Sequence, residues 1–287
     1  MGKLLDSIRG KTKSLESEMS FFDHLEVLRW HLMRAAVAIV VFACFAFYYF
    51  DTIWQNLVMG PKHGDFLTYR LLCKLGALLG SSGMCINKDL PGELQNTELA
   101  GQFSMQINAS IIIALILGFP YLLWEIWRFV KPALREKEQK ATSGFVFYCS
   151  LLFGTGILFG YYVVAPLSLH FLTNYTFSAE VKNIFTIDSY LTSVATLTLV
   201  SGLVFQLPII VFILATIGIL TPTFMREKRR YAIIIIMIIA MLVTPTPDVT
   251  TMLVISAPLF LLYELSIKVA ARVVKRKQLK EQDFLNA

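Results

Sequence analysis

Long apolar runs alternate along this chain with short, charged, proline- and glycine-punctuated segments. The first run is entered through an amphipathic approach at 21–34. There Phe21, Leu25, Leu28 and Leu32 recur at helical spacing, while Asp23, Glu26, Arg29 and Arg34 stay at the water boundary. One helix is therefore expected to start in water and finish in lipid near residue 50, and its apolar part of about twenty residues fits the hydrocarbon thickness. It has no small-residue cleavage site, so it reads as a retained membrane helix. Further spans are expected at 103–129, bent at Pro120; at 144–164, stopped by Pro166; and at about 187–220, interrupted at Ser201 and Gly202 and again at Gln206 and Pro208. The last two are 231–243 and about 250–269. The fifth covers roughly 20 Å, short of a bilayer core of about 30 Å, so it must thin the bilayer or be shielded by partners. Gly156 and Gly160 form a GxxxG that permits close helix contact, within the bundle or between copies.

Polar segments divide the rest. Residues 1–20 and 270–287 read as basic tails around a membrane domain at 21–269, with a long polar insertion at 51–102. Inside the insertion, 66–79 is too short to span. Its leucines and its Arg70 and Lys74 predict a helix on the membrane surface or packed over the bundle. Of the four cysteines, Cys44 and Cys149 fall inside spans, and Cys73 and Cys85 fall in the insertion. In an oxidising compartment Cys73 and Cys85 can pair and pin the insertion; two unpaired thiols are the alternative.

Composition agrees with an all-α integral membrane protein: of 287 residues 56% are hydrophobic and 16% charged, and the mean hydropathy is +0.62. A net charge of +6 would suit nucleic acid, but the basic residues sit in clusters between apolar runs, which is how membrane topology is encoded. Nucleic acid is therefore discounted. Six Lys or Arg lie in the stretch through Arg34, five in 128–140, four in 221–230 and six after Glu264, whereas the opposite loops hold four, one and none. Both termini are expected in the cytoplasm, and six spans close the count.

Candidate chemistry is sparse. Asp248, after Pro247, is placed to cap the sixth helix, and Glu264 is expected to meet a cytoplasmic basic group. His24, His31, His63 and His170 are scattered, with no metal-ligand spacing, P-loop, nucleophile elbow or catalytic pair. Neither an enzyme nor a cofactor is expected. A secondary transporter or channel with a midplane polar site near Gln206 is the rival reading; against it, no inverted repeat is evident.

Several segments carry a resemblance. They are Phe-x-x-His-Leu-x-x-Leu-Arg at 21–29, Phe-Val-Lys-Pro-Ala-Leu-x-x-x-Glu at 129–138, Phe-Gln-Leu-Pro at 205–208, Leu-Thr-Pro at 220–222, and Thr-Pro-x-Pro-Asp at 244–248, followed by Leu-Tyr-Glu. In this order they resemble the TatC family, the membrane receptor subunit of twin-arginine protein translocation. The resemblance implies a glove-shaped six-helix bundle in the bacterial inner membrane, with both termini cytoplasmic. It would bind twin-arginine signal peptides of folded cargo, assemble with TatA and/or TatB, self-associate, and draw on the proton-motive force. Carboxylates suit such a ligand, because a guanidinium is permanently charged and presents a planar fork. By position Glu138 is the loop carboxylate. The family's N-terminal glutamate is Val27 here, with Glu26 beside it, about 100° round the helix; Glu136 is a substitute or merely neutralises nearby bases. Arg29 and Phe129, inside the matched motifs, complete the expected peptide-binding set. Gln206 stands where the family usually has glutamate, so protonation there is not required. With Thr198, Ser201 and Pro208 it is expected to contact a partner's membrane helix, or else to bridge two helices of the bundle.

Overall fold

A computed structural model describes residues 21–78, 94–133, 144–176, 178, 180, 183–217, 220–243 and 249–285. Its elements are almost all helical. Helix α1 (Phe21–Tyr48) is followed by a short α2 (Phe50–Ile53), a π turn at Trp54–Val58 and a 3-10 turn at Gly60–Lys62, and then by α3 (Leu67–Leu78). Helix α4 (Gly101–Val130) returns antiparallel along α1: Phe47 meets Phe103 edge-on, and a Cβ on Gly118 would sit 3.3 Å from Ile39. The buried Ala35 and Ala46 lie on the same stripe of α1 as Ile39, so the seam is set by small residues at helical spacing. Pro120 is accommodated inside an α4 that runs unbroken to Val130.

The next hairpin is α5 (Phe145–Phe159), a π turn at Gly160–Val164 and α6 (Ala165–Asn174), facing α7 (Ile187–Val204). Here the GxxxG packs inside the bundle. A Cβ on Gly156 would come 2.8 Å from Gly202 Cα, and one on Gly160 would come 2.8 Å from Thr198 Cα, so backbones meet where side chains are missing. A helical segment continues beyond Pro166, contrary to the stop expected there. The π turn places the proline in the first turn of α6, where its missing N–H is tolerated. The Tyr162 carbonyl, four residues before the proline, accepts the Thr68 hydroxyl of α3 instead. In α7 the break comes at Phe205 and Gln206 only; Ser201 and Gly202 stay helical, because Gly202 is filled in by Ile157 and Phe153 of α5.

Helix α8 (Leu207–Ile217), α9 (Pro222–Glu227), α10 (Arg229–Val243) and α11 (Val249–Leu285) complete the chain. Thr221 caps α9, its hydroxyl accepting the Phe224 N–H at 3.3 Å with Pro222 in the first turn, which explains the Leu-Thr-Pro motif physically. Among the described residues five helical stretches are long and apolar enough to cross a membrane: 26–48, 101–130, 145–174, 187–215 and 251–272. The 15 residues of α10 fall below that length, as the short fifth run suggests.

The end of the bundle carrying α3 is tied by phenols. Tyr161 donates to the Leu57 carbonyl at 2.5 Å and Tyr190 to that of Val58 at 2.8 Å, which satisfies the open end of the π turn. Tyr69, 1% exposed, lies within donor reach of the carbonyls of Pro61 and Pro166, and burial pushes its phenol above the ordinary range, so it remains a donor. Two-residue strands β1 (Leu94–Gln95) and β2 (Phe185–Thr186) pair in parallel on the flanking loops.

Candidate functional site

The α1–α4 seam ends in a polar cluster. On α4, Tyr121, Glu125 and Phe129 are spaced by four and share one stripe. Opposite them on α1 is His31. Its Nδ1–H donates to Glu125 Oε2 at 2.5 Å, Tyr121 donates to Glu125 Oε1 at 2.9 Å, and the His31 and Phe129 rings meet edge-on with centroids 6.4 Å apart. The Glu125 side chain is 2% exposed and that of His31 14%. A carboxylate so covered is tolerated only because both oxygens are hydrogen-bonded. Arg128 lies over the Trp124 ring at 4.9 Å, in the last turn of α4, where a cation suits the helix dipole.

Of the residues expected to bind a peptide, three lie on these two helices. Glu26 and Arg29 are exposed on α1, together with Val27, and Phe129 is half-buried at the end of α4. A 3-10 turn at Lys131–Ala133 leads toward Glu136 and Glu138, which lie outside the described residues. Asp248 and Pro247 also lie outside them. Glu125 is not among the expected site residues, although a carboxylate within a long apolar run is itself a signal. His31 stands isolated in the sequence because its partner is 94 residues away.

The second polar group lies at the α7–α8 break. Gln206 is half-buried and donates its amide to the Cys149 carbonyl of α5 at 3.2 Å, with Pro208 buried beside it. Thr198 and Ser201 do not open onto the same surface. Both are buried against Gly160, and Ser201 donates back to the Leu197 carbonyl at 2.7 Å. Midway along α11, Glu264 pairs with Arg229 at 2.9 Å, and Tyr263 donates to the Met225 carbonyl at 2.8 Å, locking α9 and α10 to α11. Cys73 is disulfide-bonded, Cys44 and Cys149 are free thiols, and Cys85 lies outside the described residues. Among the described residues no group of three His, Cys, Asp or Glu is gathered to hold a metal ion.

Comparison with known proteins is consistent across sequence and structure. Residues 23–258 match the family described as Sec-independent protein translocase protein (TatC). The chain is 33% identical over 268 residues to the Sec-independent protein translocase protein TatC of Blattabacterium, covering 92% of this chain and 100% of that protein. It is 33% identical over 262 residues to TatC of Deinococcus radiodurans, covering 91% and 89%. A crystal structure of the twin-arginine translocase receptor TatC superposes with a TM-score of 0.60 at 27% identity, over 88% of this chain and 99% of that one. A crystal structure of the same receptor in DDM gives a TM-score of 0.64, also at 27% identity, over 86% and 99%. With most of its length matched in each comparison, the chain belongs to the TatC family of Sec-independent protein translocase proteins.

Proposed function

We propose that this chain is the receptor subunit of a twin-arginine translocase: it binds the paired arginines of a signal peptide on its cytoplasmic face and works with TatA- and TatB-type single-span partners to export folded cargo. The observation that carries the reading is that Glu26 and Arg29 stand exposed on α1, whose His31 ring meets Phe129 of α4 just before the 131–138 segment; on this reading that end of the bundle is the cytoplasmic one. Glu138 is the principal acceptor, with Glu26 or Glu136 as the second, because two adjacent guanidinium groups need two carboxylates.

On this reading the bundle has six spans, α10 being the short fifth, and takes a glove shape with both termini cytoplasmic in the bacterial inner membrane. The charge distribution supports that orientation. Gln206, the least buried polar group at the α7–α8 break, is the contact offered to a partner's membrane helix. Thr198 and Ser201 support it from inside the α5–α7 packing. Cys73 pairs with Cys85, since the other two cysteines are free thiols. Self-association and coupling to the proton-motive force complete the reading.

Complementation tests it. Expression of this chain with its own TatA- and TatB-type partners in a strain lacking TatC should restore export of a folded twin-arginine reporter. Normal export by Glu138→Lys would remove Glu138 from the site, and export of a twin-lysine reporter at the same level would overturn recognition altogether.

A further inference from the structure

The cluster at the α1–α4 seam does something the receptor reading does not itself require. Both oxygens of Glu125 are occupied and its side chain is 2% exposed, so it is not available to an incoming guanidinium. Its carboxylate nevertheless sits inside a helix long and apolar enough to span a membrane, where a polar side chain is expensive unless it has a purpose. Much of the seam is built of small and apolar side chains: Ala35, Ile39 and Ala46 on α1, Ala114 and Gly118 on α4. Such contacts hold two helices together but resist sliding and rotation only weakly, because dispersion is non-directional. Directional links tie the seam at its two ends. Gln106 donates to the Phe47 carbonyl at 3.3 Å at one, and His31 bonds Glu125 at the other.

We infer that His31 and Glu125 are positioning residues for signal-peptide recognition: their hydrogen bond sets the rotation and depth of α1 against α4, and so fixes Glu26 and Arg29 relative to Phe129 and the segment leading to Glu138. The inference rests on the proposed receptor function. Its geometry is specific. His31 touches Glu125 on one side and the Phe129 ring on the other, so one imidazole couples the buried anchor to the exposed face. Tyr121 holds the second carboxylate oxygen and thereby the rotamer that reaches His31. Val27, one turn before His31, lies on the same side of α1, and a rotation that shifted His31 would carry Val27, Glu26 and Arg29 with it. A two-point grip on adjacent guanidinium groups tolerates little misplacement, since bidentate geometry is lost within about 1 Å.

The test uses the full chain purified into nanodiscs, a labelled signal peptide bearing either two arginines or two lysines, and melting curves measured in parallel. In the His31→Leu/Glu125→Leu double variant an apolar pair replaces the buried polar one, a change that is commonly neutral or stabilising. Affinity for the twin-arginine peptide should fall about tenfold or more while the melting temperature holds or rises. His31→Gln, whose amide still donates to Glu125, should retain most of the affinity. Wild-type affinity in the double variant overturns the inference, as does a loss that merely tracks a fall in melting temperature. If the unaltered chain does not prefer arginine, the receptor reading fails and this inference with it; a preference present in the unaltered chain and intact in the double variant sinks the inference alone.

Discussion

Single residues decide how closely the helices approach. Gly160 lets α5 meet α7 at the Thr198 backbone, and a side chain there has nowhere to go, since its Cβ alone would stand 2.8 Å from both Thr198 Cα and Ser201 Cβ. Gly160→Val should therefore destabilise the bundle by about 1–3 kcal/mol, read as a lowered melting temperature in detergent; an unchanged melting curve would mean the two helices are not in contact. Gly154, where a Cβ would meet no neighbouring element within 4 Å, is the control, and Gly154→Ala should be silent or slightly stabilising. The GxxxG was visible in the sequence, but its choice between packing within the bundle and packing between copies was not, because spacing names a face and not its partner. Glu125 shows the same limit more sharply. Its place in an apolar run can be read from the sequence, whereas its bond to His31 depends on the antiparallel register of α1 and α4, which no local pattern encodes.

Among elements, α3 is the one whose placement needed the structure. Periodicity predicts an amphipathic helix at 66–79, and the helix is found at Leu67–Leu78. What pattern left open was whether it lies on lipid or on the bundle. Thr68 and Tyr69 face inward, and Leu67 and Leu71 are left exposed, so the first turn of α3 is fastened by Thr68 and Tyr69 rather than by Leu67 and Leu71. Thr68 also explains why the helix continues past Pro166: a proline strips the Tyr162 carbonyl of its helical donor, and a hydroxyl from another element supplies one. Thr68→Val, which keeps the shape and removes the donor, should orphan that carbonyl at about 1–3 kcal/mol and raise hydrogen exchange in α3. Tyr69→Phe should act in the same direction through the carbonyls of Pro61 and Pro166. Exchange in α3 no faster than in the parent would show that these bonds do not hold it. Reduction of the disulfide at Cys73 should loosen α3 further without disturbing the His31–Glu125 bond, because α3 follows the C-terminal end of α1 and His31 lies near its start.

For the molecule as a whole, hydropathy marks the multi-pass membrane class without any motif, since the length and apolarity of the spans follow from the bilayer and not from family history; the placement of lysine and arginine predicts an orientation on the same physical ground. Helix count was legible except at α10, whose 15 residues extend about 22 Å and fall short of the hydrocarbon core. The candidate site was legible only in part: its exposed charges are marked by their position at the border of the first span, but the buried pair beneath them is not. The account as a whole stands on recognition of two arginines by carboxylates at the cytoplasmic end of α1 and α4. The measurement that bears on it most directly is the affinity of the purified chain for one signal peptide in twin-arginine and twin-lysine forms, repeated with Glu138→Lys. The account predicts binding about tenfold or more tighter for arginine, with the preference lost in Glu138→Lys. Equal affinity for the two peptides, or an undiminished preference in that variant, would contradict it.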